Sequence, residues 1–471
     1  MNIISLLDNF INSFNNKFNV KFNLMYLEEK IKNIGDDFTI NLYKNFLEGI
    51  DLEFKNSTER KLNYTVKDTV ERSILTSIGY ITFNQTIYKN KLTNKCFYFL
   101  RDEILNMKPY QRMTDYAEYT LTKYAMSENM AQAARHALRN IVVSRSCVSK
   151  KLSKLDGTIY EEINKADFQP DILYIEMDEI HANLQDKRTN DKSKNHVCPC
   201  AIVHEGHKEE FTKRKELKNI RNFASSNLNY RQLWDVIFDY VDKKYDITKF
   251  KKIFVSGDGA SGIKSFSEVL PNAIYVYDKY HYYYKDLQYI FKDDKNLSNL
   301  ADEYIRNRYI EGFKELVKYQ IKLYPESKKY IIQKQNTIIN NIDGIINQQD
   351  KDYKCPCSME SHVSNSYARY ITSIPFAFSK TGLENKLKLL VLNANHHELT
   401  LDEFYHLKYY KNEYNKIIND MKKITDININ HLNNIDDYNT YPIDFIRSLD
   451  NQINYKLKNI IRTNTAKFIE N

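Results

Sequence analysis

The chain has 471 residues, with 69 Lys and Arg against 61 Asp and Glu and a formal net charge of +8. This length predicts about two to four domains, and six cysteines are too few for a secreted disulfide scaffold of this size. No apolar run reaches the roughly 18 residues that cross a bilayer, and the first 17 residues lack the basic segment of a secretion signal. We therefore expect a cytoplasmic protein with no membrane partner, whose slight positive charge favours a polyanion.

The first hundred residues contain two different patterns. Apolar residues recur at helical spacing from Met1 to about Glu71, which predicts a helical N-terminal region. From Ser73 to Leu100 the pattern changes to β-branched and aromatic residues on both sides of Gly79. That pattern predicts a hairpin followed by a third strand at Cys96 to Leu100.

The stretch from Asn129 to Leu155 is basic and contains no Asp or Glu. Its cations are Arg135, Arg139, Arg145, Lys150, Lys151 and Lys154. The residue pattern indicates a helix, a short turn and a second helix with Ser144 near its N-terminus. A helix-turn-helix would bring that second helix into the major groove of double-stranded DNA. A basic helix that only faces solvent explains the pattern equally well, so both interpretations stay open.

After Pro170 the pattern alternates between strands and helices. Strands are predicted at Asp171 to Asp178, Val197 to His204, Phe211 to Asn222, Lys252 to Ser256 and Ala273 to Tyr277, with helices from Leu228 to Lys244 and from about His281. This order predicts an α/β fold with a ribonuclease-H-like core. A helical insertion is expected from Asn296 to about Gln349, and a polar helical tail from Glu384.

Three acids follow or adjoin these elements. Asp178 ends one apolar strand, Asp258 follows another between two glycines, and Glu360 opens a helix-like stretch. Two strand-end carboxylates on adjacent strands can converge on a divalent cation, and phosphoryl transfer uses two such cations about 4 Å apart. Taken singly, an Asp after a strand is more often only a turn or helix-capping residue.

Seven stretches resemble the bacterial insertion-sequence transposases of the ISLre type, formerly an uncharacterised family and distantly similar to Mutator-like transposases. They are Val70 to Tyr88, Tyr98 to Asp102, Tyr110 to Met113, Leu173 to Glu179 with His181, Val255 to Ala260, Asp278 to His281, and Cys357 to Val363. The resemblance covers the chain from about Val70 to Ser379. It predicts a DDE-type transposase that cleaves insertion-sequence ends and transfers the strand to target DNA.

The resemblance implies that Asp178, Asp258 and Glu360 are the catalytic acids and hold Mg²⁺ or Mn²⁺. The intervals between them are 80 residues (258 − 178) and 102 residues (360 − 258), and the second leaves room for the helical insertion. It also implies that His281 contacts DNA near the cleaved phosphate, although a structural His at the strand-to-helix junction is an equal alternative. The expected partners are double-stranded DNA, from element ends and target, and further copies of the chain in a homodimer or larger assembly, associated with the nucleoid when bound to DNA.

Some features depart from that family. Ile374-Pro375 stands where an Arg-Pro pair is typical, and two Cys-Pro-Cys units, Cys198 with Cys200 and Cys355 with Cys357, are not part of its pattern. Four thiolates could bind structural zinc if the two units met, but buried thiols are the default expectation. Lys213 to Lys215 and Lys218 either meet phosphates or line a solvated strand edge.

Two other functions fit the same residues: an inactive transposase-derived DNA-binding protein, and another ribonuclease-H-like nuclease. The pattern divides the chain into six predicted regions. These are 1–70 (helical), 71–165 (small sheet and helix-turn-helix-like DNA-binding region), 166–295 (first part of the core), 296–352 (helical insertion), 353–383 (last part of the core, with Glu360) and 384–471 (helical tail).

Overall fold

In the computed structural model, the described part of the chain runs from residue 24 to residue 409, with residues 8, 11 and 12. It leaves out residues 140, 156–158, 160–162, 186–193, 209–215, 269, 293 and 373–376. The chain forms two compact units, Met1–Tyr410 and Lys411–Asn471, and every described residue belongs to the first. Three sequence features lie outside the described residues: the basic run at 213–215, the Ile374-Pro375 pair and the tail beyond residue 409.

A helical segment and a small antiparallel sheet open the described chain. Helices α1 (Leu24–Asn56) and α2 (Thr58–Asn63) precede strands β1 (Tyr64–Thr76), β2 (Gly79–Asn90) and β3 (Cys96–Tyr98). The predicted hairpin is confirmed, because Thr76 pairs with Gly79 and β1 and β2 pair antiparallel from that turn to Tyr64 and Asn90. The prediction that helix continues to about Glu71 is wrong, since strand pairing with β2 begins at Tyr64. A π-helical segment, Phe99–Ile104, follows β3.

Three helices after the small sheet form one packed group. They are α3 (Asp115–Ser127), α4 (Met130–His136) and α5 (Arg145–Leu152). The Ser144 hydroxyl accepts a hydrogen bond from the backbone N–H of Cys147, so the predicted start of the second basic helix is confirmed. Buried residues of all three helices share a core with α15 (Lys380–Ala394).

A five-stranded mixed sheet organises the rest of the described chain. Its strands are β4 (Ile172–Leu184), β5 (Lys194–His204), β6 (Arg221–Ala224), β7 (Lys252–Gly257) and β8 (Ala273–Tyr277), in the order β6-β5-β4-β7-β8. The pairs β4–β5 and β5–β6 are antiparallel, whereas β4–β7 and β7–β8 are parallel.

Two predicted strand limits need correction. The first core strand does not end at Asp178 but continues to Leu184, because β5 pairs with it as far as that residue. The predicted third strand, Phe211 to Asn222, is observed as Arg221–Ala224. Asp178 therefore lies inside a strand, although its parallel neighbour β7 already ends at Gly257.

Helices cover both faces of this sheet. One face packs against α6 (Tyr230–Lys244), α7 (Ser261–Ser267) and the helices between residues 295 and 352, and the other packs against α13 (Met359–His362) and α15. The remaining helices are α8 (Gln288–Ile290), α9 (Lys295–Arg306), α10 (Ile310–Leu323), α11 (Lys328–Asn340), α12 (Ile342–Ile346), α13 (Met359–His362) and α14 (Arg369–Ile371). The described chain also contains two π-helical segments, Tyr280–Leu287 and Val363–Ala368, and three short 3₁₀ turns, Ile247–Lys249, Pro325–Ser327 and Asn347–Gln349. Residues 401–409 are helical as well.

The structure is thus a mixed α/β protein with one small antiparallel sheet and one mixed sheet. The predicted insertion is helical, as expected. Within the described residues, none of the helices combines the length and the apolar composition that a bilayer crossing requires.

Candidate active site

The parallel strand register brings three aspartates to one level of the sheet. Glu176 of β4 pairs with Ser256 of β7, so Asp178 and Asp258 each lie two residues beyond that pair. Gly257 of β7 pairs with Tyr277 of β8, so Asp258 and Asp278 each lie one residue beyond it. The 80-residue interval from Asp178 to Asp258 is the register offset between β4 and β7, which explains how residues so distant in sequence become neighbours.

The turn that carries Asp258 depends on Gly259. Gly259 has a φ of +89°, and a Cβ atom there would lie 2.8 Å from the Asn341 Nδ2 atom and 2.9 Å from Cε2 of Tyr277. Any L side chain would therefore be both strained and crowded. The Asp258 carboxylate accepts a hydrogen bond from the N–H of Ala260 at 3.1 Å, which orients it at the strand end.

Glu360 approaches from helix α13 and meets the π-helical segment that follows β8. Its Oε2 atom lies 3.5 Å from Nε2 of His281 and 3.3 Å from Nζ of Lys285. One ligand atom from each of Asp178, His281 and Glu360 lies within 4.8 Å of the other two. Single-turn π distortions are frequent at functional sites, and here one supplies His281 while another directly follows α13.

Burial and repulsion by neighbouring carboxylates both raise the pKa of Asp178. Burial, followed by the charges of Asp258 and Glu360, raises the pKa of this carboxyl to about 6. The N–H of Glu179 and the His281 ring oppose that rise. Burial likewise raises the pKa of Asp278. A divalent cation stabilises such a site, because its charge offsets the repulsion between partly buried carboxylates.

The structure therefore brings the predicted acids to one edge of the sheet. Asp178 and Glu360 lie within metal-ligand spacing of His281, whereas Asp258 is outside that closest group and acts on Asp178 through its charge. Carboxylate oxygens suit Mg²⁺, and an imidazole would suit Mn²⁺ better. The residue pattern marked Asp278 only as part of a motif. Lys285 was not predicted, and its one signal in the sequence was its helical spacing of four residues from His281.

A buried hydrogen-bond relay supports this site. The N–H of Gly206 donates to Nδ1 of His204 at 3.1 Å, so the ring proton is on Nε2, which donates to Oε1 of Glu176 at 3.0 Å. The other oxygen of Glu176 accepts from Ser358, through the backbone N–H at 2.7 Å and the hydroxyl at 3.0 Å. Ser358 is the residue before α13, so Glu176 joins the strand of Asp178 to the helix of Glu360. In the sequence, only the position of Glu176 two residues before Asp178 indicated a place in the site.

The cysteines do not form a four-thiolate site. Among the described residues, two groups have three or more close metal-binding atoms: Glu176, His204 and Cys355, and the Asp178 group. Neither contains two cysteines, so the zinc alternative has no support. In the first group the Nε2 position of His204 already carries a proton donated to Glu176. Burial raises the pKa of the Cys200 and Cys357 thiols, as expected of buried, neutral sulfur.

Two cations of the basic stretch from Asn129 to Leu155 form ion pairs within the chain. Arg139 pairs with Asp36 at 2.8 Å, and Lys151 pairs with Glu118 of α3. Two of the six cations therefore have internal partners, because acids distant in sequence fold against them. Arg135, Arg145, Lys150 and Lys154 are exposed.

Fold and site together define a mixed α/β protein with an acidic cluster suited to a divalent cation. The chain belongs to the family described as uncharacterised protein family UPF0236, whose model matches residues 17–405. That range contains every residue of the candidate site.

Relatives of this chain occur in Caldanaerobacter subterraneus subsp. tengcongensis. UPF0236 protein TTE2489 is 27% identical over 372 residues, which cover 78% of each chain. Another relative, whose name joins TTE0033 with ten further designations, is 26% identical over 373 residues and covers 78% of this chain and 77% of its own. A solved structure described as the Drosophila P element transposase strand transfer complex aligns with 64% of this chain and 96% of its own, at 12% identity. Its TM-score of 0.28 is too low to establish a shared fold.

Proposed function

We propose that this protein is a DDE-type DNA transposase of the ISLre insertion-sequence type. The observation that carries the proposal is the convergence of Asp178, Asp258 and Glu360 at one edge of the mixed sheet, despite intervals of 80 and 102 residues. Chance rarely brings three such acids together from the interior of one strand, the end of another and a separate helix.

The sheet topology supports a ribonuclease-H-like core. When its five strands are numbered in chain order, their order across the sheet is 3-2-1-4-5. The first three strands pair antiparallel, and the fourth and fifth add on parallel to the first. Helix α6 precedes the fourth strand, and α7 connects the fourth with the fifth. In this arrangement the carboxyl ends of the parallel strands point at the acidic cluster, where ligands bind in open α/β sheets.

The chemistry of the site fits metal-dependent phosphoryl transfer. Asp178, Asp258 and Glu360 would hold Mg²⁺ or Mn²⁺, which when bound activates the attacking oxygen and stabilises the leaving oxygen. Lys285 places a cation 3.3 Å from Glu360, where it can also meet a phosphate oxygen. His281, on the same segment, presents a ring nitrogen to the same carboxylate. No side chain needs to form a covalent intermediate with DNA.

Recognition of double-stranded DNA would fall to the helices α3, α4 and α5. Ser144 caps α5, and Arg145 and Lys150 are exposed on that helix, as a recognition helix in the major groove requires. Transposition joins two element ends, so a homodimer or larger assembly on DNA is part of the proposal.

The names of the relatives offer independent support. One joins eleven numbered designations from a single strain, and another joins four. Such names are expected when one coding sequence occurs at many positions in a genome. A mobile element multiplies in that way, whereas an ordinary nuclease gene does not.

The direct test is strand cleavage by the full chain. Duplex oligonucleotides from the DNA on both sides of the coding sequence should be cut in the presence of Mg²⁺ or Mn²⁺, and Asp258→Asn should abolish cutting while keeping the fold and DNA binding. Asp235→Asn, at an exposed position on α6, is the matched control and should cut normally. Cutting by Asp258→Asn at the normal rate would overturn the proposal. Cleavage confined to RNA or branched DNA would favour the nuclease alternative.

A further inference from the structure

Tyr110 occupies a turn position that ordinarily favours glycine. The N–H of Gln111 donates to the carbonyl of Lys108 at 3.1 Å, which closes a four-residue turn with Pro109 in second place. Tyr110, in third place, has a φ of +62°. This combination belongs to a turn whose third residue is normally Gly, because an L side chain there is strained.

Burial of the Tyr110 ring does not offset that strain. It is 95% exposed, so almost none of its apolar surface is buried. A bulky residue in this backbone region persists when its surroundings over-determine it, and such positions cluster at ligand-binding sites. The exposed ring thus points to a contact outside the chain.

The surroundings hold the turn firmly. The Gln111 side chain accepts from the N–H of Lys108 at 3.1 Å and donates to the carbonyl of Met113 at 3.0 Å and to Asp115 at 2.9 Å. The guanidinium of Arg72, on β1, donates to the carbonyl of Gln111 at 2.9 Å. The ring of Tyr110 is therefore presented on a rigid support, which lowers the entropy cost of binding.

A basic pocket of about 410 Å³ adjoins this turn. Five cations line it, Lys108, Arg112, Lys151, Lys154 and Lys408, against the single carboxylate of Glu118. Lys151 and Lys408 both pair with Glu118. Lys108, Arg112 and Lys154 are exposed and, among the described residues, have no carboxylate partner. A surplus of positive charge thus lies beside an exposed aromatic ring.

We propose that this turn and pocket bind an unpaired nucleotide of DNA, with Tyr110 stacked on the base and Lys108, Arg112 and Lys154 on the neighbouring phosphates. The proposal rests on the proposed function for its ligand, DNA. An exposed aromatic ring flanked by cations is how proteins bind single-stranded nucleic acid without reading its sequence. A base inside a duplex cannot offer its face to a side chain, so the ligand is a frayed end or an overhang. A protein partner fits less well, because cations dominate the lining.

The test compares two ligands in EDTA, where no strand is cut. One is a blunt duplex and the other is the same duplex with a three-nucleotide overhang. Tyr110→Ala should weaken binding to the overhang duplex about tenfold, since stacking on one base has an effect of that order, and should leave the blunt duplex unchanged. Tyr110→Trp should keep the affinity, and Lys154→Ala should weaken overhang binding with a smaller salt dependence. Tyr330→Ala, at a position 57% exposed on α11, is the matched control and should bind both normally.

Several outcomes would overturn the inference. One is that Tyr110→Ala binds the overhang duplex as tightly as the unchanged chain does, and another is that Tyr110→Ala loses the same affinity for both duplexes. A third is that the unchanged chain binds neither duplex. A fourth is that Tyr110→Ala forms a smaller oligomer, which would make Tyr110 a contact between copies of the chain. Tyr110→Gly is the control for misfolding, because glycine suits the positive φ at this position. This variant should unfold at no lower denaturant concentration than the unchanged chain. The catalytic proposal stands or falls separately, since Asp258→Asn should keep overhang binding in EDTA.

Discussion

Ser358 donates its backbone N–H to Oε2 of Glu176 at 2.7 Å, although 182 residues separate the two. This bond ties the beginning of the helix that carries Glu360 to the strand that carries Asp178. The other oxygen of Glu176, Oε1, accepts a hydrogen bond from the Nε2–H of His204, and both side chains are almost completely buried. A single buried carboxylate therefore sets the distance between two proposed metal ligands.

We predict that Glu176→Gln weakens metal binding without touching a metal ligand. The amide cannot accept hydrogen bonds from both His204 and Ser358, so one buried donor is left unpaired, which costs about 1–3 kcal/mol of stability. Metal affinity should fall as α13 moves. Calorimetric titration with Mn²⁺ and denaturant unfolding measure the two effects. Glu303→Gln, on the exposed side of α9, should change neither, and unchanged Mn²⁺ affinity in a destabilised Glu176→Gln would refute the positioning role.

The three proposed ligands should act as one unit. Asp178→Asn, Asp258→Asn and Glu360→Gln should each lower the cleavage rate severely, and combining any two should add little, because one missing ligand already prevents productive metal binding. Single-turnover cleavage rates of the single and double variants measure this. Losses that multiply in the double variants would contradict a shared site.

The contribution to DNA affinity should differ between Lys151, which pairs with Glu118, and the exposed Lys150 and Lys154. Lys150→Ala and Lys154→Ala should each lower the slope of log K against log salt by about 0.9, because each phosphate contact releases one counterion. Lys151→Ala should instead reduce stability, since Lys151 pairs with the buried Glu118. Titrations with duplex at several salt concentrations distinguish them. An equal slope for all three variants and the unchanged chain would remove the stretch from the interface.

Lys386 should make the stability depend on pH. It is fully buried and donates to the carbonyls of Ala125 and Glu128 at the end of α3. Burial lowers the pKa of Lys386, the charge of Glu128 partly offsets that effect, and the resulting pKa is about 7. Between pH 7 and about 10.4, the ordinary pKa of a lysine, the unfolded chain holds the proton and the folded chain does not.

The free energy of unfolding should therefore rise with pH across that window, by at most about 1.4 kcal/mol per pH unit. Lys386→Met should abolish this part of the rise, since it cannot titrate. Urea unfolding of both proteins at pH 7, 8 and 9 measures the difference in slope. Parallel stability curves would show that Lys386 keeps an ordinary pKa.

The local pattern of residues was enough to predict many individual elements. The hairpin at Gly79, the cap at Ser144, the helical insertion and most of the five core strands follow from residue spacing, because turns, caps and periodic apolar faces are properties of short segments. The strand beginning at Tyr64 was missed, since its pairing with β2 outweighs the helical spacing that precedes it. The six predicted regions and the metal ligands remain predictions.

The residue pattern alone identified the acids that adjoin apolar strand segments or stand in motifs, together with their separation along the chain. The folded chain was needed to show that the register of β4, β7 and β8 aligns Asp178, Asp258 and Asp278. The same is true of the ion pairs of Asp36 with Arg139 and of Glu118 with Lys151. The strained backbone of Tyr110 likewise emerges only from the fold. The physical reason is that sheet register and ion pairing depend on contacts between distant segments, which no local spacing encodes.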